Sequence, residues 1–454
     1  MRKIIQYMMM ALIAVVLASC ANDISEESTP TVKSNIRFVV DDFPMFEKPS
    51  TRTIGEEDKG KTAWAVGDEI CVKLESKELG TQTATLKYNG VKFEIQDGNS
   101  LCYLEDEPVT AYAYYAPNRK WLNDGNLGYK DGEHDGTAEF LEASCTVHYG
   151  DDNYVDISFA NATRNYSRLR IATIPKTEIK VDADNFAPTD NPNLLYMTYT
   201  LTSDEKGNAY LYGTFDNNSI VTVKYRGASL ATHKFSKKTE NAKSYVLDAT
   251  VISANSAEEI YSAIKQEIAD GKTAIRLNLA SDAGDNEFNA IREAFENVRG
   301  YGTIDLTLIG CKEIPVNGLY RIMALKSITL PDVTKIRMDA LSSCLYLQEI
   351  CAPNVSAIDE YAFGKCRYLR KVTLGKLTDV RGEANSRSGI FDDINDLNPD
   401  IDLYLPKNQE VMEFDENSKQ YIWKPTGESY FASPDYYDNG IFLGYQFHSV
   451  KSWE

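Results

Sequence analysis

The sequence predicts a mainly β protein in which two tandem β-sandwiches precede a solenoid of stacked coils with a helical N-terminal cap. Three observations lead there. Residues 32–251 break into short runs with a period of two and no helical stripe, as sandwich strands do. Residues 301–405 repeat one apolar pattern, at the step that separates Leu325, Leu347 and Leu369, up to an insertion in the last unit. The stretch between them carries two helical stripes around one alternating run. A length of 454 residues suits about three domains of ~150 residues each.

The first segment reads as targeting. Arg2 and Lys3 form a basic end, and Met8–Leu17 is an apolar run too short to span a bilayer. Leu17-Ala18-Ser19-Cys20 resembles a bacterial lipobox, which implies a signal peptide over 1–19, lipidation of Cys20 and a tether over 20–32. Asp23, Glu26 and Glu27 resemble the acidic tag that sends lipoproteins of Bacteroidales-type bacteria to the outer cell surface. Nothing later is apolar for long enough to cross a membrane, so the expected attachment is to the outer membrane through lipid alone.

The first sandwich is expected over 33–152. Its runs include Ile36–Val40, Glu69–Leu74, Ala84–Tyr88 and Lys92–Ile95, with turns at Asn89-Gly90 and Asp97-Gly98. A second sandwich is expected over 153–251, opening at Tyr154–Phe159 and closing at Tyr245–Val251. Thr51-Arg52-Thr53, Trp64–Ile70 and Thr110–Pro117 resemble the fimbrillin and Mfa-like family, as do Val155–Phe159, Leu169–Ile171 and Lys243–Val251. The resemblance implies a lipoprotein. Several members are pilus subunits or tips that polymerise by strand donation after cleavage behind an Arg. Arg52 lies in the corresponding region and is the candidate processing site. A chain that continues into a solenoid has no free C-terminal edge to offer a next subunit, which counts against polymerisation.

Residues 252–300 read as a capping unit. Ser256 and Glu259 fit a capping box, and Ile260, Ala263, Ile264 and Ile268 share a helical face. Ala274–Leu279 alternates like a strand, and Phe288, Ile291, Phe295 and Val298 form a second stripe. Residues 301–406 then repeat. Leu325, Leu347 and Leu369 fall in step, as do Ile328, Ile350 and Val372, and Ile336, Ile358 and Val380. One coil cannot bury its own apolar face, so stability comes from stacking on neighbours. The spacing and order, with Pro331 or Pro353 ending the strand, Gly318-Leu319, Ala340-Leu341 and Ala362-Phe363 in the small-large slot and Cys344 and Cys366 after it, resemble the BspA-type leucine-rich repeats of bacterial surface proteins. Gly382–Asp393 breaks the step and reads as an inserted loop. Residues 407–454, rich in aromatic side chains, would cap the far end.

Composition narrows the function. A net charge of −19 argues against nucleic acid, whose phosphates would need Lys and Arg. Seven cysteines after Cys20 do not make a complete disulfide framework, and Cys344 and Cys366 hold one apolar slot in adjacent coils. No phosphate loop, zinc helix, nucleophile elbow or ligand-spaced His set occurs, so no metal, cofactor or catalytic residue is expected. The coil strands imply an out-pointing strip, with Thr307, Thr329, Glu349, Lys371, Thr373 and Tyr404 as the candidate ligand face. The expected function is that of a non-enzymatic surface adhesin or ligand-capturing lipoprotein for a host or bacterial surface protein or glycan. A glycan-binding accessory of a polysaccharide-uptake system and a fimbrial tip or accessory subunit are the alternatives.

Overall fold

The computed structural model describes residues 32–33, 36–46, 60–96, 101–104, 107–149, 153–160, 162–189, 196–298, 300–382, 389–391, 400–415 and 422–453. Cys20, Arg52, the turn at Asp97-Gly98 and most of the inserted loop lie outside these residues.

The first unit closes two antiparallel-rich sheets over one core. Five strands run in the order Leu141–Glu142, Thr110–Tyr115, Glu69–Ser76, Gly80–Tyr88 and Phe93–Ile95. Opposite lie Ser144–His148, Tyr154–Ser158 and Arg37–Val40. Ile70, Val72 and Leu74 from one sheet meet Phe38, Val155 and Ile157 from the other. Asn89-Gly90 makes the expected turn, with Gly90 at φ 103°. The strand Tyr154–Ser158, expected to open the second sandwich, instead pairs in parallel with Arg37–Val40 and antiparallel with Ser144–His148. The first unit therefore runs past the expected boundary at 152. Period-two patterning shows which face of a strand is apolar but not which sheet it joins.

The second unit wraps one six-stranded sheet around its core. The strand Asn208–Tyr225 runs through both halves. Its first part pairs with Ser167–Ala172, its second with Ala228–Lys234, and Glu178–Pro188 flanks it on the other side. The register slips between Asp184 and Phe186, and Asn218 adopts φ 69°, which bends the sheet there. Phe186, Phe215 and Phe235 stack inside. Where the two units meet, Arg164 Nε lies 2.5 Å from Glu139 Oε1, Nη2 donates to Pro44 O at 2.6 Å, and the guanidinium covers Phe46 at 4.2 Å. Gly136 also sits at this seam. A Cβ there would come within 2.9 Å of Pro188, at a φ of 78° that favours glycine in any case.

The third unit is a solenoid. Eight strands form one sheet in the order Ile252–Ser253, Ala274–Asn278, Ile304–Ile309, Leu325–Thr329, Glu349–Ala352, Lys371–Leu374, Asp402–Leu405 and Ser449–Ser452, each parallel to the next. Leu306 pairs with Ile328, Ile328 with Ile350, Ile350 with Val372 and Val372 with Leu403. All five are buried in one continuous core that also takes in the cap. A second, short-stranded sheet closes the coil through Ile314, Ile336, Ile358 and Val380. The turns between repeat as well. Asn317, Asp339 and Tyr361 take left-handed φ of 57–58° in successive coils, as do Arg321, Ser343 and Lys365 at 60–63°. Cys344 Sγ donates to Leu319 O at 3.1 Å and Cys366 Sγ to Leu341 O at 3.2 Å, so each thiol fills its slot and satisfies a buried carbonyl. Both are free thiols, and burial pushes Cys344 up to about 12.

At the N-terminal end, helix α1 (Ala257–Ala269) carries the expected capping box, and Ile260 and Ile264 are buried. Helix α2 (Asp285–Phe295) buries Phe288 and Ile291 against the same core. At the other end Tyr430, Phe442, Tyr445 and Phe447 seal the last coil.

Ile350 sits mid-file with no exposure. Ile350→Ala should therefore lower the unfolding free energy by about 2–5 kcal/mol in urea denaturation; a loss under ~1 kcal/mol contradicts a shared, close-packed interior.

Candidate ligand-binding face

The outward side chains of the eight-stranded sheet fall into two rows, one nearer each end of the strands. Asp305, Ser327, Glu349, Lys371 and Asp402 stand in register in the first row. They are tied along the solenoid axis. Ser327 Oγ donates to Asp305 at 2.6 Å, Lys371 Nζ lies 2.5 Å from Glu349, and Lys326 lies 3.7 Å from Asp305. These groups are half-exposed or exposed, so each pair is worth well under ~1 kcal/mol and their effect is to order the surface.

The second row holds Thr307, Thr329, Cys351, Thr373 and Tyr404. Here the structure departs from the expected open strip. Thr307 is 7% exposed and Thr373 8%, so neither can meet a ligand. The second β unit reaches over this end of the strands. Arg276, in register with Thr307, donates to Leu230 O at 2.7 Å. Asn354 Nδ2 donates to Arg226 O at 3.0 Å, Arg226 also pairs with the buried Asp332, and Gly227 faces Pro353. Trp453 closes the row, donating Nε1 to Leu374 O at 2.9 Å. Burial drives the Cys351 thiol up to about 11. Thr329 is half-buried. Tyr404 is partly exposed, with the amines of Lys371 and Lys451 each 5.7 Å from its ring centre. Of the six candidate residues, Glu349, Lys371 and Tyr404 thus form one accessible group, Thr329 is half-buried beside them, and Thr307 and Thr373 are buried.

A further feature borders this group and was not singled out from the sequence. Tyr301 stacks on Tyr346 with ring centres 4.9 Å apart and planes 6° from parallel, and Tyr346 stacks on Tyr368 at 5.4 Å and 8°. Tyr346 and Tyr368 directly precede Leu347 and Leu369, one repeat apart, which is a signal the pattern could have yielded. Tyr301 is out of step. Ala324 holds the slot one repeat before Tyr346 and carries no ring, and the Tyr301 ring fills that layer with Gly302 against Tyr346. In the tail, Tyr436 stacks on Tyr430 and Tyr437 packs on Phe431. Among the described residues no group of three His, Cys, Asp or Glu is close enough together to hold a metal, and no helix is long and apolar enough to cross a membrane.

Comparison with known proteins agrees with this geometry in the solenoid. Residues 289–391 match the family described as BspA type Leucine rich repeat region, in six copies. Over residues 289–391 the stacked coils are therefore leucine-rich repeats of the BspA type, within a mainly β chain. No curated protein matches the chain. Among solved structures, a candidate cell adhesion protein of Bacteroides fragilis is similar at 11% identity and a TM-score of 0.26, over 47% of this chain and 92% of its own. Two variants of the shaft pilin SpaA of Lactobacillus rhamnosus GG are similar at 12% and 10% identity, with TM-scores of 0.15 and 0.17. They cover 41% and 48% of this chain, and 92% and 97% of their own. Scores of this size carry neither adhesion nor pilus assembly over to this chain.

The end of the face carries a titratable cluster. Ser449 donates to Asp402 and His448 Nδ1 lies 2.9 Å from it, which holds the Asp402 carboxyl below its ordinary value of 3.8. A carboxyl depressed in the folded state stabilises fully above its unfolded pKa of about 4 and loses that contribution as pH falls through the folded value. Amide exchange at Ser449–Ser452, corrected for intrinsic rate, should speed up as pH drops below about 4, and Asp402→Asn should remove that dependence.

Proposed function

We propose that the chain is a lipid-anchored protein of the outer cell surface that acts as an adhesin, capturing a host or bacterial surface protein or glycan without catalysis. The carrying observation is the accessible group on the solenoid sheet, where Glu349 and Lys371 of the first row pair and the Lys371 amine lies near the Tyr404 ring of the second, all on hydrogen-bonded neighbouring coils. A rigid repeat that displays ordered polar and aromatic side chains suits recognition of an extended partner. The lipobox resemblance around Cys20 supports anchorage, and the fimbrillin-like motifs of the first two units support a surface role. The tyrosine ridge favours a glycan partner, which keeps the polysaccharide-uptake accessory as a second reading.

The test is a soluble form of the chain with Glu349→Ala, Lys371→Ala and Tyr404→Ala combined, measured against immobilised matrix proteins and a glycan panel. Binding by the parent protein should fall about tenfold or more in the variant. A folded variant that binds as the parent does removes this group from the function.

A further inference from the structure

We propose that the tyrosine ridge and the basic side chains beside it form a docking strip for a sulfated polysaccharide. The inference deepens the adhesin reading and rests on it.

Two independent observations meet at this rim. The first is the ridge itself. Tyr301 is 65% exposed and Tyr368 50% exposed, so the stack is not a core element that happens to reach the surface. Both faces of Tyr346 are covered by its neighbours, which leaves ring edges and phenol groups toward solvent. Phenol hydroxyls donate and accept, and ring edges offer apolar contact, a combination that suits sugar hydroxyls and C–H groups.

The second observation is charge. The protein carries −19 overall, yet the coil segments that bear the ridge reverse that sign. Arg321, Lys326, Lys365, Arg367, Arg370 and Lys371 lie on 320–327 and 364–371, and all six are exposed. Only Asp305 and Glu349 oppose them within 301–305, 320–327, 342–349 and 364–371. Those two are already engaged by Lys326 and Lys371. Tyr368 and Arg370, both exposed, flank the buried Leu369 just before the strand Lys371–Leu374. Backbone bonds from Gln348 N to Lys326 O and from Arg370 N to Gln348 O place Lys326, Gln348 and Arg370 in one row beside the ridge. At physiological salt the screening length is about 8 Å, so the remote acidic surface is largely hidden from a ligand on this rim.

The cations and the stack together select the partner. Half of the six are arginines, whose weakly hydrated planar forks match the oxygens of a sulfate group. A nucleic acid would need open aromatic faces for its bases, and in this ridge the inner faces are taken. A chain of sugars lying along the ridge meets hydroxyls at each coil and sulfates at the basic row.

The purified full chain is passed over immobilised heparin, with polygalacturonate, dextran and single-stranded DNA as parallel surfaces. Heparin should bind, and more weakly as salt rises. Tyr346→Ala with Tyr368→Ala should weaken binding about tenfold. Arg367→Ser with Arg370→Ser, both exposed side chains, should weaken it at least as much, with circular dichroism confirming that the variant is folded. The proposal is overturned if heparin does not bind, if both double variants bind as the parent does, or if polygalacturonate, dextran or DNA binds as well as heparin. A chain that ignores heparin but still binds a matrix protein through Glu349, Lys371 and Tyr404 would fail this inference while leaving the adhesin reading in place.

Discussion

Everything in the last third of the molecule depends on one constraint: a single short coil has no interior of its own. The file from Leu306 through Ile328, Ile350 and Val372 to Leu403 is buried only because each residue lies on its counterpart in the next coil. Full burial of an aliphatic side chain contributes about 1.5–3 kcal/mol, and the pattern supplies several per coil. The ends of such a stack would expose the same surface. Helices α1 and α2 cover one end, and the aromatic tail with Ser449–Ser452 covers the other.

The same stacking makes the surface periodic, and the neighbouring β unit decides how much of that surface remains available. The turn at Arg226 and Gly227 and the carbonyl of Leu230 meet the strands at their C-terminal ends. Arg226 and Lys312 both face the buried Asp332, which also accepts from Gly310 N. This contact fixes the solenoid on the β unit at that end of the strands. What remains is the row from Asp305 to Asp402 with Tyr404 beside it, bordered by three stacked tyrosines.

The legible and illegible parts of the structure divide along physical lines. The solenoid was legible because its register is written in a repeat: when Ile350 lies on Ile328, every other slot follows. Strands outside the repeat carry no such label. Tyr154–Ser158 alternates well, yet its partner Arg37–Val40 lies far back in the chain, and no local pattern names it. The candidate face was half legible. Period two correctly sends Thr307 and Thr373 away from the solenoid core, but both are buried, and the segments that reach this end of the strands, at Leu230 and Trp453, lie far off in sequence. The tyrosine ridge shows both cases, since Tyr346 and Tyr368 keep the step of the repeat and Tyr301 does not.

The most direct test of the shared interior is native-state hydrogen exchange across a urea series. Amides of Ala274–Asn278, Leu325–Thr329, Glu349–Ala352 and Lys371–Leu374 should converge on one opening free energy with one urea slope, because no coil can open without exposing its neighbours. Strands that open at separate free energies with small, separate slopes would show coils that stand alone, and would contradict the account.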